Sequence, residues 1–430
     1  MKRPLRVLLI FLGLSLLGVI FTGSKLYYRL SYLWGFLLVG NWIWAAVSLR
    51  GVNLKRSTRT RRAQVGDIFT ERFELHNSGR LSRLWLEVQD EAQLPGRQGS
   101  RVLTLVGGRQ RRSYLARTRL TRRGVFQLGP SNLVSGDPFG LFTVIREIPS
   151  EQTLLVYPML VPVRYFPSPA GMLPGGEALR RRTHQITPNA VSIREYLPGD
   201  PLNRIHWMST ARKSRIMVKE FELDPLAEVW LFIDAARMVQ ASKCVDEDKR
   251  STPLWLPTET FRLHPSTEEY AVTIGASLAR YFLSRRRAVG LVSIGQTLTL
   301  LSPDRGARQL NKFLEALALL RAEGELPLSA LLLTQAQHIP RGSTVILITA
   351  DNRQEVAEGV DHLLRRGLRP VVVLLDAESF GGAAGAERLQ ATLQYIGVPV
   401  FFVREGDDLE AVLNGSRMEV QVYPMRGLEW

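Results

Sequence analysis

Residues 228–234, EVWLFID, form an apolar run that ends on an acid, and this stretch sets the fold class of the carboxyl-terminal half of the chain. Four more apolar runs of strand length follow it, at residues 288–294, 343–350, 370–376 and 398–403. Helical patterns separate them, at residues 267–285, 304–321, 352–366 and 384–395. This alternation predicts a parallel sheet covered by helices on both faces, so we expect residues 229–430 to form a doubly wound α/β domain.

Three acids stand at predicted carboxyl ends of these strands. Ligands of such sheets bind beyond the carboxyl ends of the strands, and Asp234, Asp351 and Asp376 all fall there. Three carboxylates together would suit a hard cation such as Mg²⁺. Arg237 places a positive charge beside this position, which disfavours a cation. Asp351 also suits the N-cap of the helix predicted from Asn352.

Residues 51–160 show a different pattern, in which short alternating runs are separated by turn residues. Seven such runs lie at residues 68–76, 84–89, 102–106, 113–120, 125–128, 141–145 and 153–157. They are too short for helices, so we expect an all-β sandwich of about seven strands. Because sandwiches host unrelated functions, a rigid spacer with a solvated basic face is the alternative to a binding domain.

Two apolar runs occupy the first part of the chain. Residues 5–22 carry one charge, Arg6, and residues 30–49 carry none. Roughly 20 helical residues cross a hydrocarbon core of about 30 Å, so we expect residues 1–50 to form a transmembrane helical hairpin joined by the polar residues 23–29. Nine basic residues flank its outer ends and two lie between the runs, which predicts cytoplasmic termini. A cleaved signal peptide is the competing interpretation, but no small-x-small site precedes a soluble segment.

The net charge of the chain, +16, is concentrated after the second apolar run. Residues 50–123 hold 18 Lys and Arg against 6 Asp and Glu, a net charge of +12. Charge this close to a bilayer suits anionic lipid headgroups. Nucleic acid is the second choice and is not expected, because this region has neither a recognition helix nor aromatic stacking residues among its arginines.

Residues 161–228 are expected to form a connector packed on the α/β domain. Pro198-Gly199 predicts a type II turn. Asp200 as N-cap and Pro201 as first helical residue predict a short helix that begins there. Strand-like alternation resumes at residues 216–221.

The connector carries a dense motif, REYxPGDxxxRIxWxxxAR, at residues 194–212, and it ends in VKEF at residues 218–221. Upstream stand RGVFxLGP at residues 123–130, DPFGLF at residues 137–142 and VYP at residues 156–158. Together these motifs resemble the bacterial family called "domain of unknown function 58". The resemblance implies a membrane-anchored protein with a cytoplasmic von Willebrand factor A-like domain, often encoded beside MoxR-type AAA+ ATPases.

The resemblance leaves two interpretations of the signature residues, which are Arg194, Glu195, Tyr196, Gly199, Asp200, Arg204, Trp207, Arg212, Lys219 and Glu220. They contact a partner, or they are structural. In the structural interpretation the charged members Arg194, Glu195, Asp200, Arg204 and Arg212 form a buried ion-pair network that locks the connector onto the A-like domain.

The family comparison also bears on the metal. A-like domains that bind metal carry Asp-x-Ser-x-Ser after the first strand, whereas residues 234–238 of this chain read DAARM. Ala236 and Met238 replace both hydroxyls. No cofactor is therefore expected, and Mg²⁺ is disfavoured.

Residues 242–266 form a polar insertion at the ligand-binding edge of the predicted sheet. An insertion of this length is either disordered or functional, and Leu254-Trp255-Leu256 could be an apolar hook for a partner. The single cysteine, Cys244, excludes an intrachain disulfide and is compatible with a reducing compartment.

No catalytic motif is visible in the sequence. The six histidines show no metal-ligand spacing, there is no Gly-x-Ser-x-Gly elbow, and Cys244 has no local histidine. The sequence therefore predicts a non-enzymatic adaptor held in the bacterial cytoplasmic membrane by two spans. The family resemblance implies a MoxR-type ATPase as its partner in envelope-related assembly. The alternative is a metal-dependent adhesin or enzyme that uses Asp234, Asp351 and Asp376.

Overall fold

The computed structural model describes residues 3–95, 100–150, 152–166, 190–196, 205–221, 228–243 and 261–415. The chain divides into two compact units. The first consists of residues 1–159 with 244–264 and 317–319, and the second of residues 160–243, 265–316 and 320–430.

Two apolar helices begin the first unit, α1 (Arg3–Thr22) and α2 (Lys25–Ser48), and both are long and apolar enough to cross a membrane. Ser31 Oγ donates to Ser15 Oγ at 3.1 Å between them, and the rings of Phe11 and Trp34 stack at 5.6 Å. The predicted connection of seven residues shortens to two, because the Ser24 hydroxyl accepts the Leu26 N–H and caps α2 at its first turn.

A β-rich region follows the two helices, as predicted. Among the described residues it contains ten strands: β1 (Val52–Thr58), β2 (Arg62–Gln64), β3 (Ile68–Asn77), β4 (Arg83–Asp90), β5 (Arg101–Val106), β6 (Arg111–Arg119), β7 (Gly124–Leu128), β8 (Ser131–Gly136), β9 (Thr143–Ile148) and β10 (Gln152–Tyr157). They form three sheets, with the orders β1-β3-β6, β2-β10-β7 and β5-β4-β8-β9. The arrangement therefore differs from the expected seven strands in two sheets. Strands β1, β2 and β8 were not predicted. Basic and polar residues dominate β1 and β2, and β8 has only Leu133 and Val134 as apolar residues.

Two apolar cores hold these sheets. Strands of the first and third sheets share a core that includes Phe73, Leu75, Leu86 and Leu133. The second sheet contributes Leu128, Leu154 and Val156 to another core, which Phe261 joins from a distant part of the chain.

The second unit begins with an antiparallel pair, β11 (Ala190–Glu195) and β12 (Met217–Phe221), with helix α3 (Trp207–Lys213) between them. A six-stranded sheet follows, built from β13 (Val229–Ile233), β14 (Val289–Ile294), β15 (Leu298–Asp304), β16 (Thr344–Thr349), β17 (Arg369–Leu375) and β18 (Val400–Val403). Its order is β15-β14-β13-β16-β17-β18. All neighbours are parallel except β14 and β15, so the predicted all-parallel sheet is in fact mixed. The exposed, alternating β15 was missed because it follows β14 after a short turn.

Helices cover both faces of this sheet, and they are α4 (Thr267–Ser284), α5 (Ala307–Leu319), α6 (Leu328–Gln335), α7 (Gln354–Arg365), α8 (Ala386–Tyr395) and α9 (Leu409–Leu413). Trp230, Phe232 and Leu347 lie in a core with residues of α6, α7 and α8. Alternate residues face α4, where a Cβ on Gly275 would approach Ile233 Cδ1 to 2.5 Å. This close approach explains why glycine occupies that helical position.

Candidate functional site

The candidate site lies where the strand order of the mixed sheet reverses, between β13 and β16. From β13 the chain continues outward on one side through β14 and β15, and on the other through β16, β17 and β18. In open α/β sheets the crevice at such a switch point, outside the strand carboxyl ends, is where ligands bind. Asp234 directly follows β13, and Thr349 and Asp351 stand at the end of β16.

Asp234 is the buried acid of this site, with 4% of its surface exposed. Its two carboxylate oxygens accept from the Thr349 hydroxyl at 2.6 Å and from the Ala236 N–H at 3.1 Å. Burial raises the pKa of Asp234 to about 6, although these two hydrogen bonds act in the opposite direction. The site therefore keeps a carboxylate whose charged form the surroundings disfavour.

Asp351 is also buried, but a nearby arginine of the same loop pairs with it. Arg353 donates to it from Nε at 2.9 Å and from Nη2 at 2.7 Å, a two-bond fork, and its backbone N–H donates at 3.0 Å. The same pairing raises the pKa of the Arg353 guanidinium. Thr349 links the two acids, because its hydroxyl also accepts the Asp351 N–H at 2.9 Å.

The expected N-cap role of Asp351 is wrong in its details. Helix α7 begins at Gln354, and the cap residue is Arg353, whose side chain makes no capping hydrogen bond. Asp351 stands two residues before that cap, and its side chain is taken up by Arg353 instead. The pattern of acid followed by arginine two residues later was the signal that could have indicated this fork.

Asp376 has partners of its own and shares none of the hydrogen bonds described for Asp234 and Asp351. Its nearest cation is Arg404, with Nε 3.5 Å from the Asp376 carboxylate, and Arg404 also donates to Glu387 at 2.7 Å. Asp376 lines a separate cleft of about 330 Å³ with Gly385 and the first turn of α8. Across the described ranges, no group of three His, Cys, Asp or Glu side chains is placed to hold a metal ion.

The side chains at the switch point do not fit a divalent cation. Both oxygens of Asp351 are engaged by the Arg353 guanidinium, and both oxygens of Asp234 accept hydrogen bonds from the protein. Hard cations need free oxygen ligands, and the positions after Asp234 supply Ala236 and Met238 rather than hydroxyls. The Arg353 guanidinium supplies the positive charge that pairs with the Asp351 carboxylate, in the place where a metal ion would do so.

Two polar residues that sequence reasoning did not single out hold the loop after β13. Gln240 Nε2 donates to the Asp234 backbone carbonyl at 3.0 Å, and the Thr267 hydroxyl donates to Gln240 Oε1 at 2.6 Å. The loop forms a short 3₁₀-helix, Arg237–Val239, which presents Met238 with 81% of its surface exposed. Arg237 is exposed beside it. A loop held by hydrogen bonds thus exposes the Arg237 guanidinium and the Met238 thioether next to the buried Asp234.

Comparison with known proteins identifies the region that carries this site. Residues 192–374 match a family model described as "Protein of unknown function DUF58". The chain carries a DUF58 region. It runs from β11 to β17, so it contains Asp234 and Asp351 but ends just before Asp376. The resemblance expected from the motifs is confirmed.

Other comparisons are more distant. The chain is 24% identical over 298 residues to the uncharacterized protein YeaD of Bacillus subtilis (strain 168), covering 68% of this chain and 67% of YeaD. Two solved structures each match about a quarter of the chain. The CARDB domain of a Pyrococcus furiosus protein in complex with di-metal ions is 11% identical with a TM-score of 0.18, and the match covers 24% of this chain and 91% of that domain. The cupredoxin domain of AmoB from Nitrosocaldus yellowstonii is 7% identical with a TM-score of 0.17, and the match covers 25% of this chain and 87% of that domain. These TM-scores carry no argument about fold.

The amino-terminal part of the DUF58 region differs from the sequence-based prediction. Ile205 forms a β-bridge with Val218, and helix α3 begins at Trp207, so Ile205 is extended rather than helical; the predicted helix start at Asp200 lies outside the described residues. His206 is the N-cap, and its Nδ1 accepts the Ser209 N–H at 3.2 Å. The bridge to β12 keeps Ile205 extended, which local capping signals could not indicate.

Described signature residues of the DUF58 region are mostly at the surface. Glu195 accepts from Arg215 Nη1 at 2.6 Å, with both side chains largely exposed, and Arg212 is also exposed. These two charged residues therefore do not lie in a buried network. Trp207 is 70% exposed, while Tyr196 is partly buried and its N–H donates to the Ile216 carbonyl.

The remaining predicted residues are located only in part. Arg194, Lys219 and Glu220 lie in the β11–β12 pair, where Arg194 is opposite Val218. Gly199, Asp200 and Arg204 lie outside the described residues, as does the proposed hook, Leu254-Trp255-Leu256.

Proposed function

We propose that this chain is a membrane-tethered protein-binding adaptor whose A-like domain presents the carboxyl edge of its sheet to a partner protein. The observation that carries the proposal is the Arg353 fork on Asp351, because it occupies the carboxylate that catalysis or metal binding at this edge would need. Among the described residues of this edge, Arg237 and Met238 are exposed. Such a surface suits docking better than bond-making.

The order of the mixed sheet supports the A-like assignment. Counted from β13 as the first strand, the order is 3-2-1-4-5-6, the doubly wound order that places ligand sites at the switch point. The family resemblance of the connector motifs points to the same domain.

The tether in this proposal is the hairpin of α1 and α2. Nine basic residues flank its outer ends and two lie between the apolar runs, so both termini and both units would face the cytoplasm of a bacterial cell. The basic first unit would then stand against the anionic inner leaflet.

The proposed partner is a MoxR-type AAA+ ATPase, which would supply the hydrolysis that this chain lacks. The family resemblance supports this partner by analogy. At the contact, Arg237 would meet a carboxylate of the ATPase and Met238 an apolar pocket, since a flexible thioether adapts to irregular surfaces.

Site-specific photo-crosslinking in native membranes tests this proposal. A photoreactive amino acid placed at Met238, on the carboxyl edge, should give an adduct with one AAA+ ATPase, identified by mass spectrometry. The matched control is Tyr395, which is 92% exposed at the end of α8, on the opposite edge of the sheet. Its position should give no such adduct.

A charge reversal makes the same test quantitative. Arg237→Glu should lower the adduct yield from Met238 several-fold, whereas Arg341→Glu, which changes an exposed arginine on the opposite edge, should leave it unchanged. Equal adducts from Met238 and Tyr395 would refute the docking surface. Sub-millimolar binding of Mg²⁺, Mn²⁺ or Ca²⁺ that is lost in Asp234→Ala would instead favour the metal-dependent adhesin or enzyme.

A further inference from the structure

Four chain segments of the first unit meet at one edge of its sheets, the edge that α2 enters. Strand β1 begins four residues after Ser48, and its Val52 is opposite Asn77 at the end of β3. The start of β4 lies opposite the end of β5, through Arg83 and Val106. Strand β8 runs antiparallel to β4, so its turn into β9 lies at the same edge. We call this the α2-side edge.

The α2-side edge exposes three large apolar side chains, one in the β3–β4 turn, one near the end of β5 and one in the β8–β9 turn. Leu81 is 63% exposed, Leu105 67% and Phe139 66%. Leu105 has a φ of 50°, a conformation that a bulky residue adopts only when its surroundings impose it. Single exposed apolar residues are ordinary, but three of them at one edge indicate an interaction surface.

Arginines accompany these apolar residues. Arg50 directly precedes the first sheet, Arg80 neighbours Leu81, and Arg109 lies in the turn after Leu105, and all three are exposed. Hydrogen bonds hold the turns together at this edge, since the Arg109 N–H donates to the Gly79 carbonyl and the Ser78 N–H to the Gly51 carbonyl. Apolar side chains flanked by cations are the composition of a surface that enters an anionic membrane interface.

The turn between β8 and β9 also lies beside helix α2. Pro138 and Phe139 face α2 across a cleft of about 390 Å³, whose other wall includes Gly40, Asn41 and Trp44. A Cβ on Gly40 would meet no atom within 4 Å, so the cleft is open there.

The position of this cleft along α2 gives its depth. Helix α2 has 24 residues and is about 36 Å long, which exceeds a hydrocarbon thickness of about 30 Å by about 6 Å. Gly40 lies eight residues before Ser48, or about 12 Å along the axis. Even if the whole surplus lay at the carboxyl end of α2, Gly40 would remain inside the hydrocarbon. The wall opposite Phe139 is therefore at acyl-chain depth.

We propose that the α2-side edge is a membrane-inserting surface, in which Leu81, Leu105 and Phe139 enter the acyl region of the leaflet that α2 leaves. Arg50, Arg80 and Arg109 contact the phosphates of its anionic phospholipids. Acyl chains of the same leaflet fill the cleft beside α2. The inference rests on the proposed membrane tether, and it goes beyond it because it fixes the first unit on the bilayer surface instead of leaving it on a flexible stalk.

Spin-label depth measurements on the full chain in phospholipid vesicles test this inference. The single native cysteine is replaced by Cys244→Ser, and a nitroxide is attached after Leu81→Cys, Leu105→Cys or Phe139→Cys in separate proteins. Val125→Cys is the aqueous control, because Val125 is 52% exposed on β7, away from this edge. Phe36→Cys, on the exposed surface of α2, is the control for a position in hydrocarbon.

The expected result is a ratio of oxygen to aqueous nickel collisions that is several-fold higher at positions 81, 105 and 139 than at position 125. In vesicles with anionic lipid the label at position 139 should lie deeper than in zwitterionic vesicles, and Arg50→Gln with Arg80→Gln and Arg109→Gln should abolish that difference.

Two other outcomes overturn the inference and can be told apart. Aqueous collision ratios at all three positions, with position 36 in hydrocarbon, would refute the inserting edge and leave the tether standing. An aqueous ratio at position 36 as well would refute the tether and the inserting edge together.

Discussion

The change Arg56→Met is expected to lower the free energy of unfolding of the first unit by about 3–5 kcal/mol. The Arg56 side chain is 7% exposed and pairs with two acids. It donates to Glu71 from Nε at 2.8 Å and to both oxygens of Asp90, at 3.1 and 3.2 Å. Without the guanidinium, the 3%-exposed Glu71 side chain would be left as an uncompensated buried charge.

The loss should depend on pH. Burial already raises the pKa of Glu71, and Arg56 opposes that rise. Removing Arg56 raises the folded-state pKa of Glu71 further above its value in the unfolded chain. An acid shifted in this direction stabilises the fold as pH falls, so part of the lost stability should return on acidification.

Hydrogen exchange of the backbone amides in β1 and β3 measures this effect in the full chain, because it reports the first unit separately from the second. The control is Arg72→Met on β3, since Arg72 is 58% exposed and lies 3.8 Å from Glu74. It should change stability by no more than about 0.5 kcal/mol. An equally small change for Arg56→Met would mean that the buried network does not stabilise the first unit. The double variant Arg56→Met with Glu71→Met should recover part of the loss, because Glu71 is then no longer a buried unpaired charge, while the more exposed Asp90 keeps the hydrogen bond from the Ala92 N–H.

The change Asp234→Asn is expected to stabilise the second unit at neutral pH. The rise of the Asp234 pKa from 3.8 to about 6 corresponds to about 3 kcal/mol of disfavoured ionisation. Because the folded pKa lies above the unfolded one, the wild-type chain loses stability as pH rises from about 4 to about 6 and no more above that. Asparagine does not ionise, so the difference between variant and wild type should grow from near zero at pH 4 to its full value above pH 6.

Exchange of the amides of β13 and β16 between pH 4 and pH 7.5 gives this difference directly. Asp361→Asn is the control, because Asp361 is a partly exposed acid, at 43%, that pairs with the exposed Arg365 on α7. That pair should contribute no more than about 0.5 kcal/mol, with little dependence on pH. If Asp234→Asn destabilises β13 and β16 at pH 7, the carboxylate is a structural acceptor for Thr349 and Ala236 and nothing more.

A stabilising result would bear on function. A fold that keeps a buried carboxylate where an amide would be more stable has retained it for another reason. Within the proposed adaptor, that reason is the arrangement of the loop after β13, since the Asp234 carboxylate accepts the N–H of Ala236, which directly precedes Arg237 and Met238.

Much of the architecture could be predicted from local patterns. Helices α1 and α2 follow from two uninterrupted apolar runs, and β13, β14, β16, β17 and β18 follow from five more, because burial on one or both faces repeats along the chain with a fixed period. The identity of the DUF58 region could be predicted from its motif, and so could the placement of Asp234 and Asp351 at one edge. In a parallel sheet the carboxyl ends of strands meet at the same edge.

Only the tertiary structure decided how those residues are used. Three features depend on strand register and side-chain direction. They are the fork of Arg353 on Asp351, the pairing of Asp376 with Arg404, and the β-bridge that keeps Ile205 extended. The same holds for Leu81, Leu105 and Phe139. They are far apart in sequence, and the folded chain brings them to the edge beside α2. Periodicity records which face of an element is buried, but contacts between distant residues are set by how the elements pair, and that pairing leaves no local signal in the sequence.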